Sequence, residues 1–159
     1  SLEQILKSKI KTIGSGRTDS GVHALCQVVK VECEKVIAFD KLLKGLNSIL
    51  PSDINVLEIS ECSESFRPTN DAKVKTYHYY FSNNERPYPQ HEDLIANISF
   101  ELDFELMKKT CEVFVGKHDF ADFQCVGTEV SSTIREIYSC SLERVEKFSA
   151  ISPTKNIYV

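Results

Sequence analysis

The sequence lacks the long apolar segments of a membrane protein. No apolar run among its 159 residues approaches the roughly 20 residues needed to cross a bilayer. Residues 1–5 show no basic start followed by an apolar stretch, so we expect no signal peptide. None of the six cysteines forms a Cys-x-x-Cys pair, which leaves no zinc-ribbon pattern and no compact disulfide framework. We therefore expect free thiols, no membrane association and a cytoplasmic location.

The chain also lacks the positive net charge of a protein that coats nucleic acid indiscriminately. Its formal net charge is −4, although 26% of its residues are charged. The charge is unevenly distributed, because residues 1–30 and residues 66–88 are both net positive. These two basic stretches surround Arg17 and Lys75. An acidic total is therefore compatible with a local basic surface that binds a polyanion.

Hydrophobic periodicity predicts a mixed chain with no low-complexity segment. One helix is predicted from Asp40 through Ile49, and a second is capped by Asp103 and ends at Gly116. The predicted strands are residues 9–13, 25–33, 54–59, 73–81, 94–98 and 134–145. Antiparallel sheets covered by helices on one face fit this order of elements. The predicted fold class is therefore α+β.

A polar loop, residues 16–24, lies between the first two predicted strands and reads Gly-Arg-Thr-Asp-Ser-Gly-Val-His-Ala. Its two glycines permit positive φ angles and a close approach of a ligand to the backbone. The loop has no lysine, which excludes the Walker pattern. It has no third glycine and no following helix, which excludes the dinucleotide-binding pattern. The two common nucleotide loops are thus excluded.

The carboxylate of this loop is a candidate for chemistry. Residues two apart share a face in an extended segment, so Arg17 can pair with Asp19 and hold the pKa of its carboxyl low. An ionised carboxylate beside a cation suits covalent or electrostatic catalysis. A turn stabilised by an Asx hydrogen bond is the structural alternative. The residues alone leave both interpretations open.

The nine residues of this loop resemble the signature of the tRNA pseudouridine synthase A family, commonly Gly-Arg-Thr-Asp-x-Gly-Val-His-Ala. Residues 66–81 resemble a second family block, with Phe66, Ala72, Lys75, Tyr77 and Tyr79 in register. Thr69 stands where the family commonly has arginine, which puts in doubt any RNA contact by that side chain. Residues 116–120 resemble the family's Gly-x-His-Asp-Phe, in which His118 and Asp119 are expected to be fold elements.

The resemblance implies an enzyme that isomerises uridine to pseudouridine in the anticodon stem-loop of tRNA, just 3′ of the anticodon. It implies no cofactor and no metal, a homodimer as the active assembly, and a base flipped out of its stack. Asp19 corresponds to the catalytic aspartate; the resemblance leaves open whether it attacks the sugar, attacks the base or removes a proton. Tyr77 corresponds to the active-site tyrosine that stacks on uracil. Candidate RNA or substrate contacts are Arg17, Lys73, Lys75 and Ile157.

The family fold implies two RRM-like (ferredoxin-like) halves that share a continuous antiparallel sheet, with helices on one face and the active-site cleft on the other. We assign the halves to residues 1–62 and 63–159. Two family elements are not found: a first strand before Ser1, and a Phe-Leu-x-x-Met-Val-Arg segment that supplies a second arginine. We expect that segment to be missing near 147/148, in a chain that belongs to a longer protein.

Two other functions compete with an isomerase. One is a catalytically inactive relative that binds tRNA, because the second arginine is not in the sequence. The other is an RRM-like interaction domain without enzymatic activity. An ordinary RRM needs paired aromatic residues in its RNP strands, which Tyr77, Tyr79 and Phe81 imitate only loosely. Replacement of Asp19 discriminates catalysis from binding alone.

Overall fold

The chain forms two compact units, Ser1–Thr76 and Tyr77–Val159. The computed structural model describes residues 1–35, 37–124, 127, 130–146, 148 and 157–159. Its helices and strands make the fold α+β, as the sequence predicts. None of the helices within these residues is both long and apolar enough to cross a membrane. The two RRM-like halves with a boundary at 62/63 stay a prediction. A missing segment near 147/148 also stays a prediction, because Lys147 lies outside the described residues.

The first unit contains a two-stranded antiparallel sheet and three helices. Its strands pair from Lys11 with Glu32 to Gly14 with Val29. The predicted strands at 9–13 and 25–33 and the predicted helix at 40–49 are therefore confirmed, with shifted ends. In chain order the elements are α1 (Leu2–Leu6), β1 (Lys11–Gly14), β2 (Val29–Glu32), α2 (Phe39–Ile49) and α3 (Pro68–Asp71).

Contact between α1 and α2 forms a small core in this unit. Leu6 and Leu46 are both buried. A methyl group in place of the Gly45 hydrogen would lie 3.4 Å from Ile5 Cδ1, in van der Waals contact, so this part of α2 packs against Ile5 of α1. Burial of one leucine from each helix stabilises their contact by roughly 1.5–3 kcal/mol per side chain.

The strand predicted at residues 54–59 is wrong: the structure assigns no strand to this segment. The side-chain amide of Asn47 on α2, and not a neighbouring strand, is the hydrogen-bonding partner of this segment. Asn47 Nδ2 donates to the Val56 carbonyl at 2.8 Å, and Asn47 Oδ1 accepts from the Val56 N–H at 2.7 Å. Because this reciprocal pair satisfies both backbone groups of Val56, the segment is hydrogen-bonded to a helix side chain and not to a neighbouring strand.

The second unit contains two sheets and one long helix. The helix begins after Asp103, whose Oδ1 accepts from Leu106 N–H at 2.9 Å, and Gly116 follows its C-terminus with φ 112°. The predicted cap and end of this helix are confirmed. The elements are β3 (Phe81–Asn83), β4 (Ala96–Ile98), α4 (Phe104–Phe114), β5 (Gly116–Asp119), β6 (Ile134–Ile137), β7 (Arg144–Val145) and β8 (Ile157–Tyr158).

The sheets of this unit are not purely antiparallel, contrary to the prediction. The larger sheet has the order β4-β3-β8-β7, and β5 pairs with β6 separately. Strands β3 and β4 are parallel, with Phe81 opposite Ala96. The connection over residues 84–95, which includes a short 3₁₀ helix at Pro89–His91, is long enough for the crossover that a parallel pair requires. Within the described residues the paired strands form three sheets, one in the first unit and two in the second, and a sheet continuous through both halves stays a prediction.

Aromatic side chains form much of the core around β3 and β8. Tyr158 stacks on Phe104 of α4 with ring centroids 4.1 Å apart, and on Phe81 at 5.6 Å. Ile157 beside it is fully buried. Five cysteines, all in the described part of the chain, carry free thiols, as the sequence predicts, and Cys125 lies outside that part.

Candidate active site

The loop with the family signature connects β1 to β2. The strand ladder ends at the pair formed by Gly14 and Val29, and one more backbone hydrogen bond, from Ser15 N–H to the Val28 carbonyl at 2.9 Å, extends it. Beyond this point residues 16–24 leave the sheet and are exposed. The sheet therefore holds both ends of the loop, and its middle faces solvent.

Asp19 begins a reverse turn within this loop. The Val22 N–H donates to the Asp19 carbonyl at 3.1 Å, and Gly21 has φ 81°. A positive φ at the third residue only is the pattern of a type II turn, which glycine adopts without strain. The positive φ at Gly21 therefore favours glycine at this position of the motif. Asp19 is the first residue of the turn, and its side chain is exposed.

The expected ion pair between Arg17 and Asp19 is not formed. Within the described residues the ion pairs join Lys11 or Lys30 to Glu32 and Lys108 to Glu105. An ion pair between two exposed side chains gains little, because water competes for both charges. Both side chains are exposed, so the guanidinium and the carboxylate are each accessible from solvent.

Lys75 brings the second basic stretch to the base of this loop. Its ammonium donates to the Ser15 carbonyl at 3.2 Å, and a methyl group on Gly16 would lie 3.8 Å from the same Nζ. The two basic stretches found in the sequence are therefore adjacent at this point. Lys73, two residues earlier, is exposed and makes no hydrogen bond or ion pair with the described part of the chain.

Two supporting side chains, Gln27 and Lys30, belong to none of the predicted motifs. The Gln27 amide bonds to Gly16 and Ser15. Lys30 is buried on β2, donates to the Glu64 carbonyl at 2.6 Å and pairs with Glu32 at 3.3 Å. The one feature of the sequence that set Lys30 apart was its position between two valines in a strand predicted from alternation. Its neighbour Val29 is half exposed, so the strand buries the lysine and not that valine.

Glu32 carries the electrostatic effect of both lysines. Hydrogen bonds from the Lys11 ammonium, and then from Lys30, lower the pKa of its carboxyl below the ordinary value. The carboxylate is therefore ionised throughout the neutral range. It ties the start of β1 to the end of β2, at the opposite end of the hairpin from the loop.

Tyr77 and Ile157 lie in the second unit and differ sharply in exposure. Tyr77 is 86% exposed, in a segment without assigned strand structure, so its ring is available for stacking. Ile157 is fully buried on β8, between β3 and β7. A contact of Ile157 with substrate stays a prediction. Asp19, Arg17, Lys73 and Lys75 all belong to the first unit.

His118 and Asp119 bond to nearby backbone. His118 Nε2 lies 3.0 Å from the Val115 carbonyl, and Asp119 Oδ1 accepts from the Ala121 N–H at 3.0 Å. Asp119 thus supports the 3₁₀ helix at Ala121–Phe123. These contacts agree with a role in the fold. Among the described residues, no group of three His, Cys, Asp or Glu side chains is arranged to hold a metal ion.

Comparison with known proteins gives one consistent family. A family model described as tRNA pseudouridine synthase matches residues 110–154. The tRNA pseudouridine synthase A of Thermoanaerobacter sp. (strain X514) is 36% identical over 155 residues, which cover 98% of this chain. These matches agree with the resemblance of this chain to the tRNA pseudouridine synthase A family. Proteins of the same name are similar to this chain at 36% identity over 98% of the chain in Caldicellulosiruptor saccharolyticus and 34% over 92% in Borrelia turicatae.

The chain spans 64% of the length of the Thermoanaerobacter and Caldicellulosiruptor relatives and 60% of the Borrelia relative. The correspondence of the loop at residues 16–24 with the signature of the tRNA pseudouridine synthase A family stays a prediction. The match to the family model begins within α4 and includes β5, β6 and β7.

Proposed function

We propose that the full-length protein is a tRNA pseudouridine synthase that acts on uridines of the anticodon stem-loop, just 3′ of the anticodon. The observation that carries the proposal is the loop at residues 16–24 itself, in which Asp19 is exposed and begins a glycine-dependent turn, with no ion pair to any residue that the structure describes. The relatives named tRNA pseudouridine synthase A support the same activity.

The reaction is an isomerisation in which no atoms are gained or lost overall. The bond between N1 of uracil and C1′ of ribose breaks, the base turns, and C5 bonds to C1′. The C5 proton is lost and N1 takes up a proton. A stacked base cannot reach a side chain for this chemistry, so the nucleotide must be flipped out of its stack. No cofactor or metal is needed to balance this reaction.

Each candidate residue has a proposed role in that sequence of events. Asp19 is the catalytic carboxylate. Arg17 contacts the backbone of the flipped nucleotide, and Lys73 and Lys75 contact phosphates. Tyr77 stacks its ring on uracil, an interaction worth about 1–3 kcal/mol for base stacking on an aromatic side chain. Ile157 packs in the substrate pocket.

The basic residues determine how binding depends on salt. Each phosphate neutralised by lysine or arginine releases counterions, which makes affinity fall as salt rises. Recognition of a folded stem-loop proceeds through shape and backbone contacts. We propose that the protein is cytoplasmic and acts as a homodimer of subunits with two RRM-like halves, which together hold one tRNA.

Release of tritium tests this function. tRNA transcripts that carry [5-³H]uridine lose the label to water only when C5 forms its new bond. Full-length protein should release label from a tRNA with uridine 3′ of the anticodon, and a transcript with cytidine at those positions is the matched control. Binding without release would contradict the enzyme and favour an inactive tRNA-binding relative. Neither binding nor release would favour an interaction domain.

A further inference from the structure

A single side-chain amide closes the base of the signature loop. Gln27 Nε2 donates to the Gly16 carbonyl at 2.5 Å, and Gln27 Oε1 accepts from Ser15 Oγ at 3.0 Å. The adjacent backbone bond from Ser15 to Val28 and the ammonium of Lys75 on the Ser15 carbonyl complete this group of contacts. We call it the loop clamp, formed by Ser15, Gly16, Gln27, Val28 and Lys75.

The chemistry of the clamp requires an amide. The Gly16 carbonyl can only accept a hydrogen bond, and the amide oxygen of Gln27 accepts from the hydroxyl of Ser15. A primary amide presents a donor and an acceptor on one planar group. Glutamate at this position would lose the donor, and methionine, which has a similar length, would lose both bonds.

The rest of the loop has few restraints of its own. With the part of the chain that the structure describes, residues 17–26 form one hydrogen bond, the turn between Asp19 and Val22, and no side-chain hydrogen bond. The path that the backbone takes from Gly16 toward Arg17 and Asp19 is therefore set at the clamp. We propose that Gln27 is a positioning residue for Asp19, an inference that rests on the proposed function.

The clamp is exposed, so its contribution to global stability is small, because water competes for the same groups. Its effect on catalysis is larger. Displacement of a reacting group by about 1 Å can cost about 100-fold in rate. We expect Gln27→Met to lower kcat by about 10- to 100-fold, and to change the Kd for tRNA by less than about threefold, since phosphate contacts by lysine and arginine remain.

Two measurements on the full-length protein test the inference. Hydrogen exchange followed by mass spectrometry reports the clamp without any substrate: Gln27→Met should speed exchange at Ser15 and leave β4 unchanged. Single-turnover tritium release and tRNA binding then separate kcat from Kd. Gln4→Met, at an exposed glutamine on α1, is the matched control and should behave as the unmodified protein. Ser15→Ala, which removes one of the two amide bonds, should have an intermediate effect.

The possible outcomes separate this inference from the proposed function. Faster exchange at Ser15 with a lower kcat and an unchanged Kd supports the positioning role. Unchanged exchange, or a kcat within twofold of the Gln4→Met control, overturns it even if the enzyme is active. An equal loss of kcat and tRNA affinity, or a large fall in melting temperature, assigns Gln27 a structural role and also overturns it. Absence of tritium release from the unmodified protein refutes the proposed function instead.

Discussion

Lys30 provides the sharpest test of how the first unit holds its hairpin. Only 6% of its side chain is exposed, and its ammonium donates to the Glu64 carbonyl at 2.6 Å and pairs with Glu32 at 3.3 Å. Lys30→Met keeps most of the buried apolar stem and removes both polar contacts. A hydrogen bond from a charged group contributes about 1.5–3 kcal/mol to stability, and an ion pair with a partly exposed partner adds at most about 1 kcal/mol.

Part of this loss is recovered, because methionine does not require the desolvation of a charge. Glu64 and Glu32 are exposed enough for water to replace the lysine. We therefore expect a net loss of about 2 kcal/mol in the free energy of unfolding of the first unit. By the factor of ten per 1.4 kcal/mol, exchange of the β1 and β2 amides should become about 30-fold faster.

Hydrogen exchange of the full-length protein measures this effect, and Lys11→Met is the matched control. Lys11 bonds to the same carboxylate at 3.2 Å, but 69% of its side chain is exposed, so its loss should cost less than about 1 kcal/mol. Equal effects of the two substitutions would refute the reasoning, since burial would then not determine the strength of the contact.

Two further predictions concern ionisation and helix capping. The pKa of the Glu32 carboxyl is lowered in the folded state, so the stability that its ionised form contributes is present above the pKa of the unfolded chain and is lost as pH falls through the lower folded pKa. Glu32→Gln should therefore lose less stability than the unmodified protein when both are titrated with acid through this range. An unchanged acid titration would contradict the pairing of Glu32 with the two lysines. Asp103→Ala removes the cap on Leu106 N–H and should destabilise α4 by about 0.5–2 kcal/mol in urea unfolding followed by circular dichroism. Glu101→Ala, just outside the helix, is the control for the second substitution, and an equal effect of the two would argue against capping.

Local signals in the sequence predicted local structure well. The capping residue Asp103 and the glycine after α4 mark the two ends of that helix, because caps depend on neighbouring backbone groups only. The loop at residues 16–24 was equally predictable, since its glycines and its position between two strands are local features. The predicted contact between Arg17 and Asp19 was wrong, because a shared face in the sequence does not bring two exposed side chains together in water.

Contacts between distant residues were not predictable in the same way. The segment at 54–59 has the composition of a strand, but its backbone partner is the Asn47 side chain. Only Phe81 of the strand predicted at 73–81 lies in an assigned strand, because assignment depends on a paired neighbour as well as on alternation. Burial of Lys30 depends on a carbonyl from residue 64, which no pattern around β2 indicates.

The identity of the catalytic group is the central claim, and Asp19→Asn tests it most directly. The substitution keeps the size of the side chain and removes its charge. In the full-length protein, we expect the single-turnover rate of tritium release to fall about 100- to 10,000-fold, as for the loss of an essential acid–base or covalent catalyst. The Kd for tRNA should stay within about threefold of the value for the unmodified protein. Asp53→Asn, at an exposed aspartate outside the loop, makes the same change of charge and should leave the rate unchanged. Release by Asp19→Asn at a rate within tenfold of the Asp53→Asn control would contradict the account.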